Sequence, residues 1–127
     1  MTQRWIVDAM NVIGSRPDGW WRDRHNAMVA LVDRLESWSQ KTGNRVTVVF
    51  ERPPSPPVTS SVIEIAHAPA AAANSADDEI VGLVLADRAP QSMTIVTSDR
   101  GLADRVRGAG ASVYPAASFR RLIDAAM

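Results

Sequence analysis

Cysteine is absent from the 127 residues, which excludes disulfides, thiolate metal sites and a cysteine nucleophile. Lysine is almost absent: Lys41 is the only one, and it falls in the first long helical segment. The two histidines, His25 and His67, are too far apart in sequence to build a zinc motif by spacing. No apolar run approaches the roughly 20 residues of a membrane span. Asp8 interrupts the first apolar run too early for a secretory signal. Fourteen basic and fourteen acidic residues balance to a net charge of zero, so bulk charge steers nothing toward nucleic acid and any such site rests on local patches. There is no glycine-rich P-loop ending in Lys-Ser or Lys-Thr, and no dinucleotide fingerprint after the first strand. These absences leave a cytoplasmic enzyme or binding domain as the expectation, with no membrane association and with residues 1–127 forming a single domain.

The elements alternate. Trp5 to Val7 is a short apolar run that reads as a buried strand over 4–7, ending at Asp8, with Asn11 three positions later. Ser15 to Trp21 reads as a loop. A helix is expected from Asp23 to Lys41, with Met28, Leu31, Val32, Leu35 and Trp38 at helical spacing and Gly43 as its stop. Val46 to Phe50 is the second strand, and the prolines from Pro53 to Pro57 cannot continue it. Val62 to Ala66 is expected as a third strand and Pro69 to Ser75 as a connector. A helix over 76–87 follows, with Ile80, Val81, Val84 and Leu85 on its inner face. Met93 to Thr97 is a fourth strand, 101–108 a helix, Ala111 to Tyr114 a last strand, and a closing helix carries Phe119, Leu122 and Ile123. Strands separated by helical crossovers predict a three-layer α/β/α sandwich around a parallel sheet of five strands.

In such a sheet, ligands collect at the C-terminal strand ends. Asp8 follows strand one and Asp99 follows strand four. Asp77 and Asp78 stand at the start of the helix that enters strand four. Each acid has an ordinary structural reading: Asp8 or Asp99 as a helix N-cap or turn former, and Ser75 with Asp78 as a capping box that leaves Asp77 free to face a cleft. Carboxylates brought together repel and need a cation to stay ionised. Mg2+ or Mn2+ suits an all-oxygen site, where it activates water and stabilises charge during phosphodiester hydrolysis.

Asp8-x-x-Asn11-x-x-Gly14 after a strand, then Ala76-Asp77-Asp78-x-Ile80, then Val96-Thr97-Ser98-Asp99, resembles the NYN domains, a family of PIN-like ribonucleases. Arg107-Gly108-Ala109-Gly110-Ala111 is similar to the YacP-like branch. The resemblance runs along the whole chain. It implies a PIN-like fold with strand order 3-2-1-4-5 and a divalent-metal-dependent endoribonuclease. By matching motif positions it implies Asp8, Asp77 and Asp99 as catalytic metal ligands, with Asp78 a further candidate and Asn11 a polar companion. Many such sites carry another acid two residues after the one matching Asp99; here that residue is Gly101, and Asp104 lies a turn further on. The implied partners are RNA and, as a candidate, the ribosome. The rival on the same fold is a silent RNA- or ribosome-binding module. A receiver-like domain with Asp8 as nucleophile is disfavoured, because no lysine follows at a matching late strand.

Single-stranded RNA is gripped by basic side chains and stacked on aromatics. The loop after strand one offers Arg16, Trp20, Trp21, Arg22 and Arg24. Ser98 and Arg100 beside Asp99, and Arg52 after strand two, share the same expected edge, and His25 is placed to touch a phosphate. The oligomeric state is left open.

Overall fold

The computed structural model describes residues 3–69 and 75–126. Strands β1 (Arg4–Asp8), β2 (Arg45–Phe50), β3 (Glu64–His67), β4 (Met93–Val96) and β5 (Ser112–Tyr114) form a parallel sheet in the order β3-β2-β1-β4-β5. Helices α1 (Ala9–Gly14), α2 (Arg24–Thr42), α3 (Ser75–Ala86), α4 (Arg100–Gly108) and α5 (Ala116–Asp124) cover it. Both faces are buried, which is why the central strands read as unbroken apolar runs. Trp5, Val7, Val48 and Val96 meet α2 and α5 through Leu31, Leu35, Trp38, Phe119 and Ile123. Ile6, Val49 and Ile95 point the other way, against Ile80 and Val84 of α3 and Leu102 and Val106 of α4. Among the described residues, no helix is long and apolar enough to cross a membrane.

Local chemistry sets the helix ends. The Asp23 carboxylate accepts the Asn26 N–H at 3.1 Å and caps α2. Gly43, at φ 75°, closes the same helix, its N–H donating to the Ser39 carbonyl at 2.8 Å.

Several sequence expectations shift. β3 starts at Glu64 rather than Val62, because the Ser60 hydroxyl accepts the N–H groups of both Val62 and Ile63 at 3.0 Å and holds them in a turn. Leu85 is 68% exposed rather than on the inner face: α3 meets the sheet through Ala76, Ile80 and Val84, and Leu85 lies a quarter-turn beyond that stripe. Leu122 is likewise exposed beside buried Phe119 and Ile123. The segment after Asp8 is a short helix, α1, which no helical apolar pattern announced. Of the alanine-rich connector expected over 69–75, residues 70–74 lie outside those described.

Candidate active site

The parallel pairing sets Asp8 level with Val49 of β2 and brings Val7 beside Val96 of β4. The chain leaving β1 and the chain leaving β4 therefore emerge side by side. Asp8, Asn11, Asp77 and Asp99 line one cleft of about 220 Å3, together with Met10, Ala76 and Glu51. No basic side chain is among these lining residues.

Asp8 is 6% exposed. It precedes α1, but its side chain makes no capping hydrogen bond there. Its Oδ2 instead accepts the Thr97 hydroxyl at 3.0 Å. The same Thr97 oxygen accepts the Asp99 N–H at 3.1 Å, so one buried hydroxyl bridges the ends of two neighbouring strands. Asp99 does cap its helix: Oδ1 accepts the Leu102 N–H at 2.9 Å. Asn11 Oδ1 accepts the Ser98 N–H at 2.8 Å, and Ser98 Oγ accepts the Ala116 N–H at 2.9 Å. Asn11 and Ser98 thus fix the loop between β4 and α4 against α1 and the start of α5.

Burial pushes the Asp8 carboxyl up to about 6, opposed by the Thr97 hydrogen bond and reinforced by the charges of Asp77, Asp99 and Glu51. The Asp77 carboxyl is also raised, first by burial and then by repulsion from Asp99, with Arg105 acting against the shift. Thr97→Val is expected to leave the Asp99 N–H unpaired and remove a donor from Asp8. It should lower stability by about 1–3 kcal/mol in urea unfolding, whereas Thr97→Ser, which keeps the hydroxyl, should lose much less. Equal losses for the two variants would count against the bridge.

Four carboxylates without a lining cation form a donor set that fits a hard divalent ion chemically. Among the described residues no three His, Cys, Asp or Glu side chains are grouped to hold an ion by themselves.

Other expected residues go elsewhere. Asp78 is 72% exposed and pairs with Arg105 at 3.0 Å, outside the cleft lining. Ser75 is the first residue of α3, and its hydroxyl donates to the Glu51 carbonyl at 3.4 Å. Arg16 forms a two-pronged pair with Asp124 at 2.6 and 3.0 Å, and Arg34 joins it at 3.0 Å, so Arg16 ties the segment after α1 to α5 and is not among the residues lining the cleft. His25 lies against the Pro56 carbonyl at 2.8 Å. Trp20 packs on the core, whereas Trp21 is 56% exposed, edge-on to Trp20 with centroids 6.1 Å apart. Arg22 stands over Trp21 and Arg24 over Trp20. Arg100 is exposed at the start of α4. Glu51 was missed by sequence reasoning. The signal was present, since it is an acid directly after strand two, but it stood beside Arg52 and the prolines and read as loop.

The model of the YacP-like NYN domain matches residues 5–127. The chain belongs to this family. NYN domains are PIN-like nucleases, so the family is one of nucleases, as the sequence resemblance implied. Among solved structures, two crystal structures of Rae1 (YacP) from Bacillus subtilis are similar to it. One, of a tryptophan-to-leucine mutant, superposes with a TM-score of 0.81 at 25% identity, covering 98% of this chain and 77% of that one. The other gives 0.80 at 25% identity, covering 98% and 75%. No curated protein matches the chain in sequence. This YacP-like NYN chain therefore shares its fold with those relatives.

Proposed function

We propose that this protein is a divalent-metal-dependent endoribonuclease that hydrolyses phosphodiester bonds of single-stranded RNA, with residues 1–127 acting as one domain in the cytoplasm. The observation that carries the reading is the meeting of Asp8, Asp77 and Asp99 in one cleft at the C-terminal edge of β1 and β4, in a chain of a nuclease family. Asp8, Asp77 and Asp99 would hold Mg2+ or Mn2+. The ion, when bound, supplies a water of lowered pKa and positive charge opposite the phosphodiester. Thr97 orients Asp8 through its hydroxyl, and the Leu102 N–H holds the Asp99 carboxylate in place. The Asn11 side chain, on α1, holds the loop after β4 through the Ser98 N–H. Trp21 with Arg22 offers an exposed ring and a charge for an unpaired base and its phosphate, and Arg24 and Arg100 extend the basic rim.

A second reading is favoured by one observation: position 101 carries no acid. It makes the protein an RNA-binding module, with the ribosome as a candidate site of action. Incubating purified protein with single-stranded RNA and Mn2+ separates the two. Cleavage should require the ion, stop with EDTA, and fall at least a hundredfold in Asp77→Asn. RNA binding without cleavage, on naked RNA and on ribosomes alike, would establish the silent module instead. Cleavage undiminished in EDTA would sink the metal mechanism.

A further inference from the structure

Asp124 on α5 is shared by more cations than one carboxylate neutralises. Arg16, just after α1, reaches it with both terminal nitrogens at 2.6 and 3.0 Å. Arg34 of α2 adds its Nε, 3.0 Å from the same Oδ1 that Arg16 holds. Arg120 stands one turn before Asp124 on α5, where residues four apart share a helix face, and its charge acts on the same carboxylate. Among the described residues none of the three arginines has another acid as a salt-bridge partner. Three partly buried guanidiniums therefore face one carboxylate, and positive charge is left uncompensated.

A purely structural tie needs only Arg16 and Arg34, which pin the segment after α1 and helix α2 to α5. Arg120 adds no such tie. Its Nε is buried and has no hydrogen-bond partner. Among the described residues the only other side-chain atom in that condition is the Trp5 indole nitrogen, which sits in the aromatic cluster of Trp38, Tyr114 and Phe119. A charged donor without an acceptor is costly, and guanidinium forks match phosphate oxygens two at a time. The geometry points to Arg16, Arg34 and Arg120 as a binding site for a phosphate group, which supplies the acceptors and the charge that Asp124 alone does not. The site is separate from the cleft, since none of the three arginines lines it. It is close by nonetheless. Ala116, the first residue of α5, bonds to Ser98, next to the cleft residue Asp99. The helix then carries Arg120 and Asp124 roughly 6 and 12 Å further on. A phosphate there comes either from an RNA strand crossing this surface or from a free phosphate compound.

The test titrates inorganic phosphate into the full chain in EDTA, at constant ionic strength against chloride, and follows the arginine Nε–H signals by NMR. Those of Arg16, Arg34 and Arg120 should move saturably with phosphate and stay still in chloride. Arg120→Gln should weaken phosphate binding about tenfold, while Arg121→Gln, exposed on the same helix, should leave it unchanged. The Arg120 Nε has no partner to lose, so its variant should melt at the wild-type temperature, which separates binding from folding. Single-stranded RNA, followed by fluorescence anisotropy in EDTA, then identifies the source. A several-fold loss of RNA affinity in Arg120→Gln, with phosphate competing in the wild type, assigns the site to the RNA backbone. Unchanged RNA affinity beside lost phosphate binding assigns it to a free phosphate compound. No saturable shift with phosphate in the wild type, or equal losses in Arg120→Gln and Arg121→Gln, overturns the site, whether or not the cleft cuts RNA.

Discussion

Asp8→Asn is expected to lower RNA cleavage by about a thousandfold or more while making the metal-free protein more stable at neutral pH. The two effects share one cause. Asp8 is almost fully buried, and its carboxyl is pushed up to about 6 by that burial and by three neighbouring acids. Below about pH 4 the group is protonated in both folded and unfolded chains and contributes nothing. Between there and about pH 6 the unfolded chain ionises first, so stability falls as pH rises. Above about pH 6 the penalty is complete, at most about 3 kcal/mol. Asparagine keeps an oxygen for the Thr97 hydroxyl and removes the charge. The variant should therefore gain about 1–3 kcal/mol at pH 7.5 in EDTA and almost nothing at pH 4. Added Mn2+ should reverse the order, stabilising the wild type and not the variant. Urea unfolding at the two pH values checks the sign. A variant less stable than wild type at pH 7.5, or one that still cuts RNA, would refute the account.

Phe119→Ala is expected to cost about 3–5 kcal/mol, a large part of the total stability of a domain this size. Phe119 is fully buried on α5, with centroids 5.2 Å from Trp38, 5.6 Å from Trp5 and 6.3 Å from Tyr114. Trp5 belongs to the central strand, Trp38 to α2 and Tyr114 to the edge strand β5, so one ring joins four elements. Edge-to-face and stacked contacts add to the apolar area lost, and surrounding rings this large cannot collapse into the void. Leu122→Ala, three residues away and 39% exposed, should cost well under about 1 kcal/mol. Chemical denaturation midpoints of the two variants make the comparison. Similar losses would mean that α5 is held by its whole surface and not by the aromatic cluster.

Much of the site is legible in the order of residues along the chain. Asp8 ends one apolar run and Asp99 follows another after Thr97 and Ser98, and the alternation of runs with helical spacing sends both to one sheet edge. The bland readings divided in a way that spacing could not settle. Asp99 is an N-cap as well as a cleft residue, whereas Asp8 caps nothing and turns to Thr97. A residue type before a helix is compatible with either outcome, and the choice depends on which donor is nearer in space. Arg16 and Asp78 show the same limit: each has a partner far away in sequence, Asp124 and Arg105, that no local pattern points to.

What the sequence determined by itself is the alternation of buried strands and amphipathic helices, and with it the parallel α/β sheet, because burial on both faces imposes a period that can be read locally. Its ordered motifs also placed it in the YacP-like NYN family. Only the tertiary structure decided which charged groups share the cleft. It took Arg16 and Asp78 out of the cleft lining and brought in Glu51. The reason is physical: hydrophobic periodicity is a property of neighbouring residues, whereas the fate of a charge is set by partners that strand register brings from elsewhere in the chain.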